Sequence, residues 1–332
     1  NEEILYFENS GNGVFAAGQT VLSSFQGAND VFCSDVDGDG DTDILASSSA
    51  PGGGESVWIE NLGGGAFGPK EVISEVARGE IYSDDLDGDG DTDVLNTGNN
   101  GYSLMWHENL GNGVFGEFIV VPSDFNGSAT GSLHTADIDN DGDQDILSGA
   151  QGRINWNENL GEGNFGQLEV ISNETDGRTI VFAADLTGNG LVDILSASGS
   201  DNLIGWFENL GDGEFGTRNS LSPSAQQLHE AIAADFDNDG AIDVVASNKK
   251  GGLQLYRNLG GAEFLKPVAL DVDDGPRNIS AVDLDGDGDL DILTHSSTDE
   301  GYFIVWYENF GGLNFSESQI IAENAGNAWA ID

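Results

Sequence analysis

Positive charge is what this chain has least of. Its 332 residues hold 10 Lys and Arg against 59 Asp and Glu, a formal net charge of -49. Binding to DNA or RNA needs a basic footprint for the phosphates, and the composition excludes it. Adsorption to an anionic membrane surface is disfavoured for the same reason. There is no run of about 18 apolar residues, so direct membrane insertion as a helix is excluded. Residues 1–20 show no basic-then-apolar signal segment. Cys33 is the sole cysteine, which excludes an internal disulfide framework. What the chain does have is 38% hydrophobic residues, 17 Phe and 49 Gly. That is enough apolar surface to bury a core, so disorder is not the reading despite the charge.

A repeat organises the glycines and aromatics. The segment Asn309 to Phe315 recurs as Asn9 to Phe15, Asn61 to Phe67, Asn109 to Phe115, Asn159 to Phe165, Asn209 to Phe215 and Asn258 to Phe264. In every copy the second residue after Asn is Gly, a spacing that reads as a tight hairpin needing positive φ. Three residues before each Asn stands Tyr6, Trp58, Trp106, Trp156, Trp206, Leu255 or Trp306, so five of the six tryptophans share one structural position.

A second block begins at Asp35, Asp85, Asp137, Asp185, Asp235 and Asp283, with spacings of 50, 52, 48, 50 and 48 residues. Short apolar runs flank each block, so it joins two strands. The unit is strand, acidic loop, strand, loop, Trp-bearing strand, Gly hairpin, Phe-bearing strand, the size of a four-stranded propeller blade. The expected fold is all-β, a seven-bladed β-propeller of four-stranded antiparallel blades spanning 1–332 as one domain. The chain ends are out of phase with the unit. The seventh blade is therefore expected to combine Ala330-Ile331-Asp332 as inner strand with N-terminal outer strands, closing the ring. Ser222 to Ala231 has the local look of a helix start, but its place in the repeat makes it a connection into the next inner strand.

The acidic block has the chemistry of a metal loop. Asp35, Asp37, Asp39 and Asp43 occupy positions 1, 3, 5 and 9, with Gly40 at position 6 for the reversal. Alternate carboxylates converge when such a loop curls, forming the oxygen-only cage that calcium prefers. Asp85, Asp87, Asp89 and Asp93 repeat the pattern, as do Asp137, Asp139, Asp141 and Asp145. So do Asp235, Asp237, Asp239 and Asp243, and Asp283, Asp285, Asp287 and Asp291. The fourth copy departs, with Asp185, Thr187, Asn189 and Asp193, so five strong sites and a sixth, weaker one are expected. An EF-hand would need Glu at position 12 and helical flanks; Ala46, Asn96, Ser148, Ser196, Ala246 or Thr294 stands there instead.

These loops, together with the Trp-x-Glu-Asn-x-Gly-x-Gly-x-Phe hairpins, resemble VCBS/FG-GAP repeats, the blades of integrin-α-like seven-bladed β-propellers. The resemblance covers essentially the whole chain. It implies a further calcium ligand, the backbone carbonyl at position 7: Asp41, Asp91, Asp143, Leu191, Ala241 or Asp289. It implies that the acidic loops lie on one face and that ligands favour the opposite one. The family includes adhesion modules, lectins and some polysaccharide-degrading enzymes.

Basic residues point to that opposite face. Arg78, Arg178 and Arg277 fall in equivalent connections before the inner strands, and Arg153, Lys249 and Lys250 lie in the connections before the Trp strands. With Tyr102 and Tyr302 as stacking aromatics, they suit a glycan or a carboxylate-bearing extracellular protein ligand. The alternative is a lyase-type polysaccharide-degrading enzyme drawing on His134, His229 or His295 with Tyr82 or Tyr302. A structural spacer in a larger surface protein, beside other domains of a longer chain, is the third reading. Weak, numerous calcium sites fill only where calcium is millimolar, so an extracellular or cell-surface setting is expected.

Overall fold

A computed structural model describes residues 2–50, 53–98, 103–123, 132–150, 152–175, 177–200, 202–222, 228–249, 252–270, 276–298 and 301–323. Its strands form six four-stranded antiparallel sheets and one two-stranded sheet. The first blade comprises Ala28–Ser34, Asp43–Ser48, Ser56–Ile59 and Glu71–Ser74, paired in chain order. The same order recurs in blades two to six, which begin at Ala77, Ser132, Thr179, Leu228 and Arg277.

The expected seven four-stranded blades are thus corrected to six. The N-terminal repeat contributes only the strands Glu3–Tyr6 and Gln19–Ser23, which pair with each other. Residues 2–23 carry the last two strands of the unit and no acidic loop, so two strands are all they can supply. The inner strand expected at Ala330-Ile331-Asp332 lies outside the described residues. So do Pro223 to Gln227 of the segment with helix-like character; its Leu228 to Ala231 part, expected as a connection, already belongs to the inner strand Leu228–Ala234.

The two middle strands of each blade form the core. Asp43–Ser48 and Ser56–Ile59 are buried throughout, because a propeller blade is covered on both faces. Alternation sorts their side chains: Ile44, Ala46, Val57 and Ile59 join a cluster with Ile4 and Phe25, while Leu45 and Trp58 pack with Ile81 and Val94 of blade two. The hairpins form as expected, each closed by an Asn–Phe bridge. The second glycine of the hairpin has a packing role as well. A Cβ on Gly163 (φ +66°) would stand 2.0 Å from Trp106, so the Trp of one blade presses on the hairpin backbone of the next.

The chain divides into two compact units. One holds Glu2–Tyr6 and Gln19–Thr179; the other holds Phe7–Gly18 and Ile180–Ile331. Within the first, the hairpin side chains of Asn109 and Asn159 donate to Val36 O and Leu86 O of the preceding acidic loops, both at 2.7 Å. Within the second, Asn258 and Asn309 donate likewise to Leu186 O and Phe236 O, both at 2.8 Å. In that same unit Asn9 reaches Leu284 O at 2.6 Å, and a Cβ on Gly13 would meet Trp306 at 2.2 Å. The N-terminal hairpin therefore rests on blade six through the contacts that join successive blades.

Candidate functional site

Each acidic loop leaves the inner strand and folds onto its own backbone. In the first, Asp35 accepts the N–H groups of Gly38 at 2.9 Å and Gly40 at 3.0 Å. Asp37 Oδ1 accepts Asp39 N–H at 3.2 Å, and Asp39 Oδ1 accepts Asp41 N–H at 2.8 Å. Gly38 and Gly40 have positive φ, which lets these N–H groups turn inward. These bonds use the Oδ1 atoms of Asp37 and Asp39 and leave their Oδ2 atoms for a cation.

The position-9 aspartate serves the fold directly. Asp43 is fully buried; its Oδ1 accepts Asn61 N–H at 2.7 Å, and its Oδ2 accepts Val36 N–H and Trp58 Nε1–H, both at 3.1 Å. One carboxylate thus ties loop, Trp strand and hairpin together. Burial pushes the carboxyls of Asp93 and Asp145 up to about 7 and those of Asp243 and Asp291 up to about 6, against the backbone N–H bonds that favour the ionised form. A cation beside such groups restores their ionisation.

In five loops, carboxylate oxygens of three aspartates lie within 4.8 Å of one another. The groups are Asp35, Asp37 and Asp39; Asp85, Asp87 and Asp93; Asp137, Asp139 and Asp145; Asp235, Asp237 and Asp239; and Asp283, Asp285 and Asp291. An all-oxygen set at this spacing fits a hard divalent cation. Among the described residues the Asp185 loop forms no such group: Thr187 and Asn189 replace two of its acids, and Asp185 alone takes the N–H groups of Gly188, Asn189 and Gly190. Where position 7 is Asp, its side chain lies over the hairpin glycine; a Cβ on Gly111 would be 3.2 Å from Asp91 Oδ2.

One contributor escaped the sequence reading. The residue before the hairpin Asn is Glu8, Glu60, Glu108, Glu158, Glu208 or Glu308 in six repeats and Arg257 in the remaining one. Partial desolvation, and after it the charges of Asp37, Asp43 and Asp39, raise the pKa of Glu60, which places it beside the first loop. Glu108 acts similarly on Asp87, and Glu158 on Asp139, behind the larger effect of burial. The signal was present as the Glu of the Trp-x-Glu-Asn motif.

At the other end of the blades, the structure brings some of the expected ligand residues together. In blade six Arg277 pairs across the strands with His295, and His295 stacks on Tyr302 with ring centroids 5.7 Å apart. Tyr302 is 40% exposed, whereas His295 is fully buried. Arg178 is exposed and lies 3.6 Å from Glu80. Arg78 and Arg153 are half-buried near the starts of their strands. Tyr102 and Lys250 lie outside the described residues. Tyr82 packs, with its ring tilted, between Phe32 and His134 along adjacent inner strands. A cleft of about 600 Å³, not anticipated, is lined by Trp206, Ser220, Ser222, Phe264, Lys266 and Pro267.

Blades of this order bearing acidic inter-strand loops define a β-propeller built from acidic-loop repeats. The FG-GAP-like repeat family matches residues 85–148, 137–196, 185–246 and 235–294, more than half of the chain, and the protein belongs to that family. No curated protein matches the sequence significantly. Among solved structures, the fold is similar to that of an Agrocybe aegerita lectin that specifically recognises non-reducing terminal N-acetylglucosamine. The two share 20% identity and a TM-score of 0.72 over 99% of this chain and 90% of the lectin. A structure of BBS1N in complex with ARL6DN is similar at 12% identity and a TM-score of 0.57, over 87% of this chain and 81% of that one. The Photorhabdus luminescens Tc holotoxin pore matches at 18% identity and a TM-score of 0.50, over 87% of this chain and 14% of that one.

Proposed function

We propose that the protein is a calcium-stabilised recognition module that works outside the cytosol and binds a glycan. The observation that carries the metal half of this reading is the repetition of three-carboxylate groups in five equivalent loops. Calcium would be held by the aspartates at positions 1, 3, 5 and 9 and by the carbonyl at position 7. Bound there, it would neutralise a concentration of like charge that, among the described residues, Arg257 offsets only in the fifth loop. With dissociation constants of roughly 0.1–1 mM and several millimolar calcium, each site would stabilise the fold by about 1–3 kcal/mol. Several such sites together rival the net stability of a domain.

The similarity of fold to a glycan-binding lectin supports the ligand half. The proposed contact surface is the blade end away from the acidic loops, where Arg277 and exposed Tyr302 offer a cation and a stacking ring. The sheet of Glu3–Tyr6 and Gln19–Ser23 is read as the outer half of a seventh blade. A lyase role would have to draw on half-buried His134 or His229, since complete burial withholds His295 from a polymer.

Two measurements test the proposal. Chelation should lower the melting temperature by several degrees and restored calcium should reverse it; an unchanged melting temperature sinks the calcium reading. A glycan array, run in calcium and beside a screen for double-bond formation on uronate polysaccharides, tests the ligand. Binding without turnover is expected, and an array with no retained glycan overturns the glycan reading in favour of a protein ligand.

A further inference from the structure

One acidic loop already holds a cation of its own. In blade five, Arg257 Nη2 lies 2.6 Å from Asp237 Oδ2 and 3.2 Å from Asp239 Oδ2. Asp239 Oδ1 is engaged by Ala241 N–H at 2.9 Å. The guanidinium therefore takes the oxygens that correspond to those the first loop leaves for a cation. Asp237 is 4% exposed in its side chain, so this ion pair is sheltered from solvent on one side.

The local charge differs accordingly. The first loop gathers the carboxylates of Asp35, Asp37, Asp39, Asp41 and Asp43 and has Glu60 beside it. The fifth has four aspartates, Ala241 at position 7, and Arg257 in place of the Glu. A divalent ion entering the fifth loop would have to displace a guanidinium or share oxygens with it, with like charges a few ångströms apart.

We propose that, in the five loops with four aspartates, the residue before the hairpin Asn selects how the loop is neutralised. Glutamate there leaves the loop to a divalent cation, and Arg257 replaces that cation in the loop from Asp235 to Asp243, making this loop metal-independent. The inference rests on the calcium reading above and narrows it. The fifth loop, acidic by its aspartates, joins the fourth as a poor metal site.

Metal stoichiometry and hydrogen exchange together test this. The purified chain is equilibrated with calcium, and bound metal per chain is measured for the wild type, Arg257→Glu and Arg257→Gln. Arg257→Glu, which installs the residue of the other six repeats, should bind one more ion than the wild type; Arg257→Gln should show the same added ion at lower affinity. An unchanged count in a folded Arg257→Glu protein overturns the proposal. In the wild type, which needs no variant to fold, chelation should strip amide protection from peptides covering 35–43 and 85–93 while leaving 235–243 protected. Equal loss at 235–243 also overturns it. A wild type that binds no calcium at all sinks the underlying calcium reading instead, which separates the two failures.

Discussion

Asn9 Nδ2 donates to Leu284 O at 2.6 Å, joining residues 275 positions apart through the bond that elsewhere links a hairpin to the preceding acidic loop. The donor is exposed here, whereas Asn159, which makes the equivalent bond to Leu86 O, is buried. The same side chain position thus carries different energetic weight in the two places. Asn9→Ala should cost about 1 kcal/mol, because water can reach the orphaned carbonyl, and Asn159→Ala about 2–3 kcal/mol, because it cannot. Urea denaturation of both variants checks the order, and equal losses would contradict it.

Trp106 and Gly163 form a second link between blades. Gly163→Ala puts a methyl group where the indole stands and keeps an L residue at φ +66°. The expected loss is about 2–4 kcal/mol from overpacking and left-handed strain combined. Trp106→Ala should cost about 3–5 kcal/mol through cavity formation. In the double variant the two effects should add to less than their sum, since removing the indole relieves the clash. A thermodynamic cycle by chemical denaturation reads this directly, and strict additivity would argue against the contact.

Asp93 and Asp145, buried at position 9, make metal-free stability depend on pH. Burial raises Asp93 and Asp145 to about 7, above the ordinary 3.8. Between those values the folded chain holds protons that the unfolded chain releases. Stability in chelator should therefore be highest at the acid end of this window and fall as pH rises toward about 7, then level off. Calcium favours the ionised carboxylates, so its stabilising increment should grow over the same interval. Asp93→Asn should flatten the chelator profile. Stability that increases across the interval in chelator would refute the assignment.

The ligand surface yields a discriminating pair of variants. Arg277→Glu with Tyr302→Ala should weaken binding of a retained glycan by at least tenfold while leaving the calcium count unchanged. Phe264→Ala with Lys266→Ala alters the cleft beside Trp206 and should leave affinity within a factor of two. Titration calorimetry on both decides between the surfaces; the reverse pattern would move the site to the cleft.

Much of this was legible because the signals are local. The hairpin is specified within seven residues by an Asn, a glycine at positive φ and a Phe that closes the bridge. The acidic loop is specified within nine by carboxylates at alternating positions. The repeat correctly outweighed helix-like local chemistry at Leu228 to Ala231, but the inner strand starts at Leu228, earlier than the connection read from the sequence. The blade count was less accurate: the N-terminal outer strands pair only with each other among the described residues, and the C-terminal inner strand expected to complete their blade lies outside those residues. The charged residue before the hairpin Asn was part of the motif but was given no role, because nothing in a linear reading says which loop it faces.

The sequence by itself determined the unit: its strands, its turns and the oxygen chemistry of its loops, all of which arise from residues close together along the chain. Tertiary structure decided how those oxygens are used. Asp43 turns toward Asn61 and Trp58, which are 18 and 15 residues away, and Arg257 crosses 18 residues to meet Asp239. Stacking then matches Asn109 to Val36 across 73 residues. Such partners are chosen by the pairing and packing of strands, which bring carboxylates, amides and a guanidinium within bonding distance only after the chain has folded.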